Sequence, residues 1–260
     1  MSLRIAISSK RVVLILVVIV LCLTIASLAA QYSMFYMDYF PLKHGFKRLV
    51  SVGSENNIPT WYSSSALLLA SFLIAVIAFA KKATDDKYAI HWKALAIIFL
   101  CLSIDEAASF HEALGDVLYR FFPTKGYLYY IWVIPGMIFV LAVVLANLRF
   151  LAHLPAKTRY QFLTAGAVFI FGAIGLEMVA ASYEDELYSM GFAVLTAVEE
   201  FFEMIGVVIF IYALCSYISS YIKNIQVTFS AGHFSEEEGT AMPLSELRPR
   251  ESVRQIAGLK

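Results

Sequence analysis

The sequence predicts an all-α, polytopic transmembrane bundle of six spans with both termini in the cytoplasm. Three observations predict it. The 260-residue chain is 60% hydrophobic and only 15% charged, the composition of a membrane protein rather than a soluble domain. Six apolar stretches are each long enough for a bilayer, whose crossing takes about 20 helical residues. They cover residues 11–31, 62–80, 93–115, 127–149, 161–183 and 190–222. Lys and Arg, finally, alternate from loop to loop, which orients the spans.

Taken in order, the first stretch follows Arg4, Lys10 and Arg11. Its apolar run exceeds the roughly 7–15 residues of a signal-peptide core, so it reads as an uncleaved anchor. Residues 32–61 form a long outer loop. Its aromatic run, Tyr32, Phe35, Tyr36, Tyr39 and Phe40, suits an interfacial or lipid-contacting segment. The second span opens on SENNIPTWYSSS, where Asn57 is placed as a cap and Pro59 in the first turn. Glu55, Asn56, Asn57 and Ser63 to Ser65 are candidates for the rim of an acidic site on the same outer side. Lys81, Lys82 and Lys87 follow that span, with Lys93 opening the third. Arg149, Lys157 and Arg159 separate the fourth from the fifth, and Lys223 follows the sixth. These basic loops share the cytoplasmic side with the N-terminus. Lys43, Lys47, Arg48, Arg120 and Lys125 fall on the other. The sixth stretch is long enough to tilt or to leave the membrane at its end. Residues 224–260 are polar and mixed in charge, and read as a disordered cytoplasmic tail.

Acidic residues break the apolar pattern. Asp105, Glu106, Glu112 and Asp116 sit in the third segment, Glu177, Glu184, Asp185 and Glu186 in the fifth, and Glu199, Glu200 and Glu203 in the sixth. No Lys or Arg lies among them, and His111 is their one base. Charge inside an apolar span is costly and marks function. At about 1.5 Å per residue, Asp105 lies roughly 20 Å along its span, Glu177 about 24 Å, and Glu199 to Glu203 about 13–20 Å. With spans three and five running outward and span six inward, all three clusters meet in the outer half of the membrane. Asp116, Glu184, Asp185 and Glu186 fall at the outer boundary and call for no special account. Helical spacing puts Asp105 with Glu112, and Glu177 with Glu184, on common faces. Glu106 and His111 cannot both share the Asp105 face, so at most one set of these residues faces a single site.

The blocks NNIPTWYSS, LSIDEAASFHE and EEFFEMIG resemble those of a family of uncharacterised bacterial integral membrane proteins. The resemblance covers roughly residues 54 to 215. It implies a bacterial inner membrane, multi-pass, and a site built from these acids. It carries no activity.

The chemistry of the acids admits three functions. Carboxylates with one histidine make an oxygen-rich donor set for a divalent metal, Mn, Fe, Ca or Mg, with Zn less suited. Asp105, His111, Glu177, Glu199 and Glu203 are the candidate ligands, and Glu106, Glu112 and Glu200 the supporting acids or proton carriers. The Glu-x-x-His pairs of carboxylate-bridged two-metal bundles are missing. Proton- or cation-coupled transport is the second function, although no comparable acids continue the path inward. Pro135, Gly136, Gly172 and Gly175 interrupt or soften spans there. A structural or assembly role is the third, with Lys43, His44, Lys47, Arg48, Arg120 and Lys125 pairing with the acids. Whether the site does chemistry stays open.

Zero net charge argues against a nucleic-acid partner. The lipid bilayer is the expected surrounding, a small substrate or ion the expected ligand, and a second copy or another membrane protein an open alternative. There is no nucleotide or haem motif. Cys22, Cys101 and Cys215 lie in apolar spans and suggest neither a disulfide framework nor a thiolate site. His91 and His153 read as boundary residues, and His233 lies in the tail.

Overall fold

The computed structural model describes residues 8–37, 43–183 and 188–222. The polar tail, Lys223, His233, Tyr39, Phe40, Glu184, Asp185 and Glu186 lie outside them. Every regular element among the described residues is helical. The helices are α1 (Ser9–Tyr36), α2 (Lys43–Val50), α3 (Ile58–Ala83), α4 (Ala89–Ala108), α5 (Phe110–Phe121), α6 (Val133–His153), α7 (Ala156–Ile170), α8 (Glu177–Ala181) and α9 (Met190–Tyr221). A 3-10 turn at Gly126–Leu128 precedes α6, and a π-helical segment, Phe171–Leu176, joins α7 to α8.

Five helical runs are long and apolar enough to cross a membrane: α1, α3, α6, α9 and the continuous run Ala156–Ala181. A sixth exists only if α4 and α5 form one span, and they are bent by 72°. The helix expected over 93–115 is therefore broken. Ser109 takes a left-handed conformation at the break, φ 50°, uncommon for a residue with a Cβ. Hydropathy could not reveal this, because the composition stays helical and apolar on both sides. The fourth helix also starts later than residue 127. Gly126, at φ 60°, turns the chain through the 3-10 segment first, a conformation open to glycine.

Capping fixes the start of α3 as expected. The Asn57 side chain accepts from the Thr60 backbone N–H at 3.1 Å, and Pro59 occupies the first turn. Asn57 Nδ2 also donates to Ser51 O and Ser54 O, and the Val52 N–H donates to Ser27 Oγ at 3.1 Å. The connection before α3 is thus stitched to both α3 and α1. Tyr32, Phe35 and Tyr36 do not lie on a separate surface helix. They continue α1, while the short helix with an apolar and a polar face is α2.

Small residues let the helices approach. Ser64 Oγ donates to Ser103 O and Ser103 Oγ to Ser64 O, both at 2.8 Å. Ser71 Oγ donates to Ala96 O at 2.7 Å. Such small-residue clasps join helices where no hydrophobic effect separates lipid from side chain. Ser64 therefore holds α3 against α4 rather than forming a rim. The long α9 packs on α1, α3, α7 and the π segment. Its Val207, Phe210, Ile211 and Leu214 share one buried cluster with Ile74 and Ile77 of α3 and Trp92 of α4.

The bundle has a basic end and an acidic end. At the basic end Lys81 pairs with Asp86 at 2.9 Å. His91 stacks on Phe150 with ring centres 5.6 Å apart, and His153 lies 4.7 Å from the Tyr88 ring, so both act in an aromatic cluster. Burial alone would push the Asp86 carboxyl up. The Tyr88 backbone N–H and the Lys81 ammonium outweigh it and hold the group below its ordinary value.

Candidate functional site

The break after α4 builds the acidic end. A second helix starting at Phe110 needs acceptors for its first backbone N–H groups. Asp105 supplies one. Its Oδ1 accepts from the His111 backbone N–H and its Oδ2 faces His111 Nδ1, each at 2.9 Å. The carboxylate thus caps α5, where the helix dipole favours negative charge, and fixes the imidazole. Holding Nδ1 leaves Nε2 for other work, the usual division in histidines oriented by a carboxylate.

The π-helical segment does the same for Glu177. A π turn inserts extra backbone into a helix and re-aims the residues that follow. Glu177 follows it directly, and its Oε1 accepts from Trp132 Nε1 at 3.1 Å. The Trp132 ring lies 4.7 Å from the His111 ring. Trp132 therefore links the two acid-bearing elements.

On α9, Glu199 is buried and lines the same cavity as Glu177. The close approach depends on glycine. A Cβ on Gly172 would sit 2.9 Å from both the Glu199 carbonyl oxygen and Glu203 Cγ. A Cβ on Gly206 would sit 2.7 Å from the Phe169 backbone nitrogen.

These elements enclose one cavity of about 760 Å³. Asp105, Glu106, His111, Glu112, Glu177, Glu199, Glu200 and Glu203 all line it. The bend removes the geometric conflict expected of a straight helix, so Glu106 and His111 join Asp105 after all. Asp116, expected at the boundary without special role, lines the cavity too, as does Glu55. No Lys or Arg is among the lining residues. Ion pairing among the described residues consists of Lys81–Asp86 and His111–Asp105, so none joins these acids to the basic residues of the connections. Among the described residues, no three His, Cys, Asp or Glu side chains converge tightly enough to grip one metal ion directly.

Aromatic residues were the part that sequence reading missed. Tyr119, Tyr129, Tyr130 and Trp132 line the acidic end. Tyr129 contacts Tyr119 and Tyr130 edge to face, at 5.7 and 5.2 Å. For Tyr129, Tyr130 and Trp132 the sequence signal is an aromatic-rich stretch at the start of the 127–149 span, which an interfacial belt explains equally well.

A family model described as Domain of unknown function (DUF8692) matches residues 13–218. The chain belongs to that family. The match takes in all the described helices of the DUF8692 member from α2 to α8, most of α1 and α9, and hence every cavity acid. No curated protein and no solved structure matches the chain. The family's description assigns no activity, so the function rests on the cavity itself.

Proposed function

We propose that the protein is a six-span protein of the bacterial inner membrane, with cytoplasmic termini, whose acidic cavity binds a cation near the outer face. One observation carries this reading: nine carboxylates and one histidine line a single cavity that no Lys or Arg lines. Like charges so gathered repel strongly at low dielectric, and a cation relieves them.

A divalent metal, Mn, Fe, Ca or Mg, suits the oxygen-rich lining. Glu177, Glu199 and Glu203, with His111 through Nε2, would face the ion largely through its water shell, since no three of them converge on one point among the described residues. Asp105 would act by holding His111 rather than by ligation, since both its oxygens are engaged there. Glu106, Glu112 and Glu200 supply further charge. The spread of the carboxylates suits an ion that keeps some of its water, as Mg²⁺ does.

Transport gains less support. Beyond the acids the cavity is walled by Leu95, Phe99, Val143 and Phe210, which give an ion no polar path. An assembly role resting on acid–base pairing draws no support from the ion pairs described above.

Mn²⁺ titration of the purified protein, read by electron paramagnetic resonance, tests the proposal. About one ion per chain is expected, with affinity falling at least tenfold in Glu177→Gln and Glu199→Gln. Tight binding should also raise thermal stability, by about 2.7 kcal/mol at 100 times the dissociation constant. Undiminished binding in both variants, or none in the unsubstituted protein, would overturn it.

A further inference from the structure

The cavity is larger than an ion needs, and only one end of it is acidic. We infer that it accepts a long-chain organic ammonium, with the positive head among the acids and the alkyl chain in the apolar limb. This rests on the cation reading above and names the kind of cation.

The head end combines two recognition elements. Carboxylates supply the charge, and Tyr119, Tyr129, Tyr130 and Trp132 supply ring faces. Acids with clustered aromatic rings suit organic ammonium groups, which gain cation–π attraction that a hydrated metal ion forgoes. An anionic head would meet only repulsion there.

The limb has the dimensions of a lipid chain. From Glu199 to Phe210 on α9, and from Gly136 to Asn147 on α6, eleven residues separate acid end from deep end, about 16 Å of helix. That is about half of a 30 Å hydrocarbon core, the reach of one leaflet's chains. Small residues keep it open. A Cβ on Gly166 would meet nothing within 4 Å. A void of about 760 Å³ is within the range of ligand sites, about 300–1,000 Å³.

Two orphaned oxygens point independently to an occupant. Asn147 is 8% exposed and lines the deep end, and its Oδ1 has no hydrogen-bond partner among the described residues. Glu55 Oε2, at the acidic end, is buried and likewise without a partner there. Buried polar atoms are normally satisfied: the ammonium N–H groups supply a donor for Glu55 Oε2, while Asn147 Oδ1, which an alkyl chain cannot satisfy, takes its donor from a water beyond the chain's end.

The test uses the full chain in zwitterionic nanodiscs, with Trp61→Phe to remove the exposed tryptophan. Hexadecylamine brominated at its last carbon is titrated in, and quenching of the two remaining tryptophans, Trp92 by the limb and Trp132 at the acidic end, is followed. Trp92 packs on Phe150 and Phe162 of the limb wall, ring centres 5.1 and 5.9 Å away. Saturable quenching at about one equivalent is expected. It should weaken at least tenfold in Glu203→Gln, which loses a head contact, and in Gly166→Leu, which fills the limb. Val143→Phe serves the same purpose should Gly166→Leu fail to fold. Mn²⁺ and ethylammonium should still bind Gly166→Leu. If those small cations bind while the bromoamine quenches without saturation, the chain inference falls and the cation site stands. If small cations and amine all fail to bind, both fall. Equal saturable quenching by brominated hexadecanoic acid would overturn the choice of a positive head.

Discussion

At the residue scale, Asp105 carries two duties with one carboxylate. It caps α5 and orients His111. Asp105→Ala should therefore cost about 2 kcal/mol of stability, the upper range for losing a cap, measured by denaturant unfolding in mild detergent. Asp105→Asn keeps an acceptor for the His111 backbone N–H and should cost less. Its effect should appear in the imidazole ¹⁵N shifts, because Nδ1 loses its anionic partner. Equal stability of Asp105→Ala and the unsubstituted protein would count against the capping role. Asp86 gives a pH prediction at the other end. Its carboxyl is held down in the folded chain, from an ordinary value of about 3.9. Its contribution is full above that ordinary value and is lost as pH falls through the lower folded one. The stability difference between the protein and Asp86→Asn should shrink as pH drops below about 4. A difference constant from pH 6 to pH 2 would refute it.

At the element scale, two departures from regular helix make the site. The break at Ser109 turns one segment into two differently aimed helices, and the π turn at Phe171–Leu176 re-aims Glu177. Gly172→Ala should push the π segment off α9 and destabilise by about 1–3 kcal/mol, as overpacking does. A melting curve unchanged in Gly172→Ala would show that the helices have slack there. These departures explain what was legible in the sequence. That the acids meet, and the Asn57 cap, could be read, because position along a span follows helical rise and capping follows local residue type. The joint presence of Glu106, His111 and Asp116 could not. A helical wheel assumes one straight axis, and nothing in IDEAASFHE signals a left-handed Ser109. Nor could Trp132 be singled out, since its bond to Glu177 joins residues 45 apart.

At the scale of the whole molecule, the proposed topology, drawn from the alternation of basic loops, has the acidic end outside. With cysteines introduced singly at Ser54 and Asp85 in a Cys22, Cys101 and Cys215 serine background, a membrane-impermeant maleimide on intact cells should label the first and not the second. The reverse pattern would invert the topology, and with it the compartment from which the cavity is reached. The bundle around that cavity is unevenly built. The α3–α4 pair and the α7–α9 pair are intimate, whereas α6 touches its neighbours sparsely, mainly at the π segment. The α6 wall is therefore the least constrained boundary of the cavity, and the side on which an occupant's shape is most easily accommodated.

The position of α9 bears on how the protein is made. It is the last helix described and also the one on which α1, α3 and α7 pack. During synthesis α1 enters the membrane long before its principal partner has been translated. Biogenesis must keep that first helix waiting, shielded by lipid or by an insertion factor, until Met190–Tyr221 arrives and the bundle closes around it.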